Sequence, residues 1–233
     1  MECLYSQEIF DEKNSITITG SELKHVKALR LQQNEKVLIT NGLGVTCLCE
    51  LFQLDKDRAE FLILDRYEYM NEDEYNTALA IGLIAARDRF EFAIEKAVEL
   101  GVVKIIPLYS KFTQKFKYKQ NRTEAKILAA MKQSKRSILP ELTEPLKFSA
   151  LLKELDNFDT VIVFDEKGQK PDAKPLGDNI LVLIGPEGGF DEDEIKILSE
   201  TDKTMIWTLG KRRQRSETAA ISGLSIVNYL KTH

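Results

Sequence analysis

Leu181 to Phe190 read LVLIGPEGGF, and Leu209 to Ala220 read LGKRRQRSETAA. The first segment is an apolar run of strand length that ends in a glycine-rich loop around Glu187. The second segment leaves a short apolar strand through a basic turn and then enters a helix. Open α/β sheets bind their ligands where strands end in loops of this kind. The two segments therefore predict a ligand site at one edge of a parallel sheet.

Two patterns of elements divide the chain. Residues 1–70 contain three strand-like segments joined by turns, which predict a small barrel or sheet. From Thr77 onward, strands alternate with helices, and this alternation predicts a parallel sheet covered on both faces. A polar, acidic stretch at about 71–76 separates the two patterns and is typical of a linker. We therefore predict an α/β protein with domains at 1–70 and 77–233.

Composition limits the class of protein. The 233 residues are 43% hydrophobic and 30% charged, which is typical of a globular chain. No apolar run approaches the roughly 20 residues that a membrane span needs. The N-terminal sequence MECLYSQEIF lacks the basic and apolar regions of a signal peptide, so we expect a cytoplasmic protein. Cys3, Cys47 and Cys49 form no disulfide framework, and with only two histidines in the chain we expect no metal site.

Basic residues are concentrated in one central segment. Lys111 to Arg136 contains nine basic residues and one acid, although the net charge of the chain is −4. Phe112, Phe116 and Tyr118 alternate with the lysines of this segment. Lysines neutralise phosphates and aromatic rings stack on unpaired bases, so the pattern favours contact with RNA. A solvated loop and helix face is the alternative interpretation.

The glycine-rich loop does not have the spacing of a nucleotide-binding motif. It matches neither GxxxxGK[ST] nor GxGxxG. The helix that follows begins with four acids, Asp191 to Glu194, which stabilise a helix N-terminus but would repel a phosphate. The loop therefore favours a neutral or cationic ligand over a polyphosphate. A tight turn with ordinary helix capping remains an alternative.

The basic turn after the last strand also has two interpretations. Ser216 is a candidate N-cap of the final helix, with Glu217 in its first turn, and capping alone would explain both residues. Capping does not explain the arginines at 212, 213 and 215, which lie at the same sheet edge as the glycine-rich loop. His25 is a lone histidine, for which a surface or capping role is more common than catalysis.

Five segments together resemble the 16S ribosomal RNA uridine-N3 methyltransferase family of the SPOUT class. They are LVLIGPEGGFDEDEI, LGKRRQRSETA, DRFEFAIEKAVELGVVKIIP, Gln133–Arg136 with Leu139-Pro140, and the early stretch from His25 to Arg30. The resemblance implies a PUA-like RNA-binding β-barrel followed by a SPOUT-type α/β domain with a trefoil knot. It also implies a homodimer with its sites at the interface, S-adenosyl-L-methionine as methyl donor, and 16S ribosomal RNA or the small ribosomal subunit as partner.

The resemblance assigns candidate residues to each role. The implied cofactor-binding residues are Ile184, Gly185, Glu187, Gly188, Gly189, Leu209, Gly210, Gln214 and Arg215, with Asp165 and Glu166 bordering the same pocket. The candidate catalytic residues are Arg215, for stabilising a uracil anion, and Glu217, for positioning or for accepting a proton. The implied RNA-binding residues are His25, Arg30, Lys115, Lys117, Lys119, Arg122, Lys135 and Arg136.

The sequence departs from the family pattern at a few positions. Arg213 and Gln214 stand where the family usually has two apolar residues, and Lys135 stands where glycine is common. The polar pair motivates an alternative function, a non-catalytic RNA-binding protein that retains the SPOUT fold.

Overall fold

The computed structural model describes residues 1–8, 13–114, 118–172 and 175–233. These residues form two compact units. The first unit contains Met1–Glu72 and Leu128–Leu139, and the second contains Asp73–Ile127 and Pro140–His233. No sequence pattern indicated that residues 128–139 belong with the first unit. The predicted domain limits of 1–70 and 77–233 divide the chain into two continuous segments, whereas the first compact unit contains two separate segments. These limits remain a prediction.

The first unit is built on a five-stranded sheet with the order β1-β3-β4-β5-β2. Its elements are β1 (Cys3–Tyr5), β2 (Ser15–Ile18), α1 (Gly20–Leu29), β3 (Lys36–Thr40), β4 (Val45–Leu54) and β5 (Ala59–Glu68). The core contains Leu4, Ile16, Val26, Ile39 and Phe61, none of which is exposed. Cys47 and Cys49 are buried in the same core as packing residues. The sequence missed β1 and β2 because three and four residues carry too little alternation to be recognised.

The second unit is an α/β unit with a six-strand path β12-β10-β11-β6-β7-β8, and β9 also pairs with β7. Its strands are β6 (Asn76–Gly82), β7 (Lys104–Tyr109), β8 (Glu141–Leu142), β9 (Leu146–Lys147), β10 (Thr160–Gln169), β11 (Asn179–Ile184) and β12 (Thr204–Trp207). Its helices are α2 (Arg87–Glu99), the first half of α3 (Gln120–Ser134), α4 (Phe148–Leu151), α5 (Glu192–Ser199) and α6 (Ser216–Thr232). Every pair of neighbouring strands in this sheet is parallel, as predicted.

Three strands of this sheet, β6, β11 and β12, end at the same edge, and β10 crosses that edge at Phe164 before it ends at Gln169. Phe164 of β10 lies opposite Ile184 of β11 and Trp207 of β12. Ile184 in turn lies opposite Ile81, next to the last residue of β6. Because the strands are parallel, the loops that follow them meet at this edge. The last strand ends at Trp207 and not at Leu209 as predicted, so Leu209 belongs to the loop.

A buried ion pair fixes residues 136–138 in the first unit. Arg136 is 2% exposed, and its Nη2 lies 2.6 Å from Oε2 of Glu72. The N–H groups of Ser137 and Ile138 donate to Oε1 of Glu72, at 2.8 and 2.9 Å. The prediction that Arg136 contacts RNA is therefore wrong, because its guanidinium is used inside the unit. Glu72, in the stretch predicted as a linker, is its partner.

Lys135 terminates α3 in a strained backbone conformation. Its φ is +58°, in the left-handed region that glycine adopts without steric cost. We expect Lys135→Gly to raise the free energy of unfolding by up to about 1 kcal/mol, because the strain is relieved. Lys135→Ala, which removes the same side chain but keeps a Cβ, is the control and is not expected to stabilise. Chemical denaturation measures both, and a glycine variant no more stable than the alanine variant would contradict the strain.

Candidate functional site

The loops at the shared sheet edge enclose a cavity of about 520 Å³. Residues 164–167 at the end of β10, the loop after β11 and the loop between β12 and α6 line it. All nine predicted cofactor-binding residues are among its lining residues. Asp165 and Glu166 line it too, as predicted for the border of the pocket. The structure therefore brings the two segments singled out in the sequence to a single cavity.

The loop after β11 is compact because its glycines allow close backbone contacts. The N–H of Gly189 donates to the carbonyl of Pro186 at 2.8 Å, and Gly189 has a φ of +73°. A Cβ on Gly185 would lie 2.8 Å from the carbonyl carbon of Gly189. A Cβ on Gly82, at the end of β6, would lie 2.3 Å from the Pro186 nitrogen. The glycines thus fix the path of the loop that forms one wall of the cavity.

Glu187 carries the carboxylate of this wall. Its Oε1 accepts a hydrogen bond from the N–H of Ala85 at 3.1 Å, which joins the loop after β11 to the segment after β6. Its Oε2 is buried and has no donor among the described residues. A buried carboxylate oxygen without a donor is costly unless a ligand or water supplies one. Glu187 is therefore a candidate acceptor for a ligand that carries N–H or O–H groups.

The loop between β12 and α6 forms the opposite wall. Gly210 has a φ of +108°, and Oε1 of Gln214 is buried with no donor among the described residues. Arg213 reaches across to the first wall, where its Nη2 donates to the carbonyl oxygen of Glu187 at 3.0 Å. Its Nε lies 3.4 Å from Oε1 of Glu166 on β10. The sequence marked Arg213 only as a departure from the family and did not reveal these contacts.

Arg215 is the residue immediately before α6. Its side chain is exposed and lines the cavity, and no carboxylate among the described residues pairs with it. Its guanidinium is therefore available to a negatively charged group at the cavity. The predicted N-cap at Ser216 is wrong, because α6 begins at Ser216 and Arg215 occupies the cap position without a side-chain hydrogen bond.

Glu217 does not line the cavity. It is 9% exposed, and its Oε1 lies 3.8 Å from Nε of Arg89 on α2. Its Oε2 is buried and has no donor among the described residues. One residue of helix turns the side chain about 100° away from that of Ser216, which does line the cavity. The structure therefore does not bring Glu217 to the position that a proton acceptor in this cavity would occupy.

The N-terminus of α5 is already occupied by the chain's own acids. The Asp191 side chain accepts from the N–H of Asp193, and that of Glu194 accepts from the N–H of Asp191, which completes a capping box. A hydrogen bond from Lys111 lowers the pKa of Asp191, so the cap stays ionised at neutral pH. This helix end therefore offers no site for a phosphate, in agreement with the prediction from the sequence.

Comparison with known proteins places the chain in a family. A model of an RNA methyltransferase domain matches residues 71–228, and a model of an RNA methyltransferase PUA domain matches residues 18–64. Ribosomal RNA small subunit methyltransferase E of Mesomycoplasma hyopneumoniae is 33% identical over 217 residues, which are 90% of this chain and 92% of that protein. The chain belongs to this RNA methyltransferase family.

Further relatives in the family support the fold class. The same-named protein of Bacillus subtilis is 29% identical over 243 residues, covering 97% of this chain and 94% of that one. The crystal structure of the Neisseria gonorrhoeae protein, bound to S-adenosyl methionine, superposes with a TM-score of 0.89 at 27% identity and covers 99% and 98% of the two chains. The predicted arrangement, a PUA-like domain followed by a SPOUT-type α/β domain, is confirmed.

The predicted RNA-binding residues of the first unit differ in exposure. Arg30 is exposed in a left-handed conformation after α1. His25 is partly exposed, and its Nδ1 lies 3.4 Å from Oε1 of Glu22 and 3.3 Å from Nζ of Lys132. Lys135 is partly exposed and has no carboxylate partner among the described residues. Arg30 and Lys135 therefore remain the clearest cationic candidates in this unit.

Three of the four described basic residues of this segment in the second unit form ion pairs with acids distant in sequence. Lys111 pairs with Asp191, Arg122 with Glu91, and Lys126 with Glu95. Lys119 is exposed and has no such partner among the described residues. Lys115 and Lys117, also predicted to bind RNA, lie outside the described residues. Charge counting along the sequence therefore overstated the free positive charge of the segment.

The aromatic residues of the same segment are not equally available for stacking. Phe112 is 45% exposed. Tyr118 packs edge-on against Phe90, with 6.2 Å between ring centroids, and burial raises the pKa of its hydroxyl to about 12. Tyr118 is therefore a packing residue and not the base-stacking residue proposed from the sequence, whereas Phe116 lies outside the described residues.

No helix in the ranges described above is long and apolar enough to cross a membrane. Within the same ranges, no group of three or more histidine, cysteine, aspartate or glutamate side chains could hold a metal ion.

Proposed function

We propose that this chain transfers a methyl group from S-adenosylmethionine to N3 of a uridine in 16S ribosomal RNA. The observation that carries the proposal is the cavity where β10, the loop after β11 and the loop after β12 meet, lined by the glycine-rich loop and by Arg215. Family membership supports the reaction class, since relatives are named as ribosomal RNA small subunit methyltransferases. The Neisseria gonorrhoeae relative binds the same methyl donor.

The residues that line the cavity fit such a cofactor. A volume of about 520 Å³ is within the range of small-molecule sites. Glu187 and Gln214 each present a buried oxygen without a donor among the described residues, and a ligand with amino and hydroxyl groups would satisfy them. The lining carries charges of both signs, three acids and four basic residues, and Asp165 and Glu187 are the carboxylates that could lie beside a cationic sulfonium. We propose that the nine predicted lining residues hold the cofactor.

The proposed mechanism assigns this chain a positioning and electrostatic role. When bound, S-adenosylmethionine supplies an electrophilic methyl group. N3 carries a proton in neutral uracil; when that proton passes to solvent water the base becomes an anion, and Arg215 would stabilise the charge on its carbonyl oxygens. The N3 anion would then take the methyl group from the sulfonium, and the neutral thioether would leave. N3 lies on the pairing edge, which requires an unpaired or flipped-out uridine. Glu217 is not proposed as the proton acceptor, because its carboxylate does not line the cavity. Its proposed role is positioning, through its ion pair with Arg89.

RNA binding is proposed to use the cations that remain unpaired by carboxylates among the described residues. Among these cations, Arg30 and Lys135 in the first unit, and Lys119 and Arg212 in the second, are proposed as RNA contacts. Arg122 can contribute only by sharing its guanidinium with Glu91. Phosphate contacts made by such residues give an affinity that falls steeply with salt.

We also propose that the protein functions as a homodimer. Phe92 on α2 is 45% exposed and Tyr229 on α6 is 61% exposed, and these two helices pack against each other. The aromatic surface that they share is suited to pack against the same surface of a second copy. Equilibrium sedimentation tests this directly, and a monomer at micromolar concentration would contradict it.

Calorimetric titration separates the methyltransferase from its alternative. We expect saturable heat with S-adenosylmethionine at about one site per chain, and none with ATP, because the acids at the start of α5 leave no place for a polyphosphate. The alternative function, a non-catalytic RNA-binding protein, rests on the polar pair Arg213 and Gln214 in the cavity wall and predicts no heat with either ligand. Absence of heat with S-adenosylmethionine would therefore overturn the proposal in favour of the alternative.

A further inference from the structure

Arg213 joins the loops that follow neighbouring strands of the second unit. Its guanidinium contacts Glu166 at the end of β10 and the carbonyl of Glu187 in the loop after β11. The Glu187 carboxylate continues the connection to Ala85 after β6. Arg213 itself belongs to the loop after β12, so four adjacent strands are linked through two side chains. Glu166, Glu187 and Arg213 all line the cavity.

We infer that Arg213 is a positioning residue that holds the two walls of the cavity together and thereby sets its affinity for the methyl donor. This inference deepens the proposed function and rests on it. Its Nη2 donates a hydrogen bond to the Glu187 carbonyl while its Nε forms an ion pair with Glu166. The planar guanidinium presents these two nitrogens in fixed, different directions, whereas a lysine would have to make both contacts from one nitrogen. An apolar side chain at this position could make neither contact.

The exposure of the contacts sets the size of the effect. The side chains of Arg213 and Glu166 are 71% and 70% exposed, so their ion pair is weak and is screened by salt. The hydrogen bond to the Glu187 carbonyl adds a charge-assisted contact directly at the loop. Together they are expected to change cofactor affinity by about fivefold, not by orders of magnitude. Raised salt is expected to weaken the connection and so to reproduce part of the loss.

The test compares Arg213→Met with Lys211→Met. Lys211 lies two positions earlier, carries the same charge, is exposed and does not line the cavity. Calorimetric titration of S-adenosylmethionine is expected to give about fivefold weaker binding for Arg213→Met and unchanged binding for Lys211→Met. Arg213→Lys, which can keep one contact, is expected to fall between them. In turnover assays the KM for the cofactor should rise in Arg213→Met while kcat stays within about twofold.

A second readout needs no cofactor. Hydrogen exchange of the apo protein should accelerate in residues 185–190 of Arg213→Met and remain unchanged in α3, since only the linked loops lose a contact. Equal affinity and equal exchange in Arg213→Met and Lys211→Met would overturn the inference. A different result would separate the two claims. If the wild-type protein bound no S-adenosylmethionine but exchange in residues 185–190 were still faster in Arg213→Met than in the wild type, the proposed function would be refuted and the link between the walls would stand.

Discussion

Arg215→Ala is expected to reduce the single-turnover rate of methyl transfer about 100- to 1,000-fold when the cofactor is saturating. Arg215 lines the cavity, is exposed and has no carboxylate partner among the described residues, so its charge is available for the uracil anion. Loss of a positioned cation removes stabilisation that is needed mainly in the transition state, which lowers the rate more than it lowers cofactor binding. Rapid-quench measurement with labelled S-adenosylmethionine gives the rate directly.

Lys211→Ala is the matched control for this experiment. It removes a positive charge four residues earlier in the same loop, at a position that does not line the cavity. The single-turnover rate of Lys211→Ala is expected to stay within about threefold of the wild-type rate at saturating RNA, because the variant changes only the long-range electrostatic potential near the loop. An Arg215→Ala rate equal to that of Lys211→Ala would refute the catalytic assignment.

Glu72→Ala is expected to lower the free energy of unfolding of the first unit by about 3–5 kcal/mol. The Glu72 and Arg136 side chains are 4% and 2% exposed, so the variant removes the carboxylate that compensates a buried cation. The same carboxylate also accepts from the N–H groups of Ser137 and Ile138, which would lose their acceptor. Guanidinium denaturation followed by circular dichroism measures the loss.

The neighbouring Glu74→Ala provides the control, because Glu74 is exposed and is expected to change stability by less than about 0.5 kcal/mol. Adding Arg136→Met to Glu72→Ala should recover part of the loss, since the buried cation is then gone as well. Recovery should be incomplete because the N–H groups of Ser137 and Ile138 still lack the acceptor that Glu72 provided. Equal stability of the Glu72 and Glu74 variants would show that the buried pair does not hold residues 136–138 in the unit.

The sequence predicted the local patterns of this protein well. Continuous apolar runs such as Ile180–Ile184 identified the buried parallel strands, and the glycines after them marked the loop that forms a cavity wall. Residues adjacent in the chain decide such patterns, so they can be recognised without a structure. The family resemblance named the nine predicted lining residues, and they meet at one cavity because parallel strands deliver their loops to a shared edge.

Pairings between distant residues could not be predicted from the same patterns. The segment from Lys111 to Arg136 looked like free positive charge, but Arg136 is paired with Glu72 and Arg122 with Glu91. Helical phase also decided the position of Glu217, which follows a cavity residue directly but is turned toward Arg89. Both outcomes depend on which surfaces pack together, and sequence spacing alone does not contain that information.

Mass mapping of methylated nucleosides tests the proposed function most directly. The purified protein would be incubated with isotope-labelled S-adenosylmethionine and 16S ribosomal RNA, free or in small subunits, from cells that lack this protein. We predict label in 3-methyluridine alone, at a single position, and greatly reduced label with Arg215→Ala. Label on a ring carbon, on a ribose hydroxyl or on a different base would contradict N3 methylation, and absence of label from both substrates would contradict the methyltransferase itself.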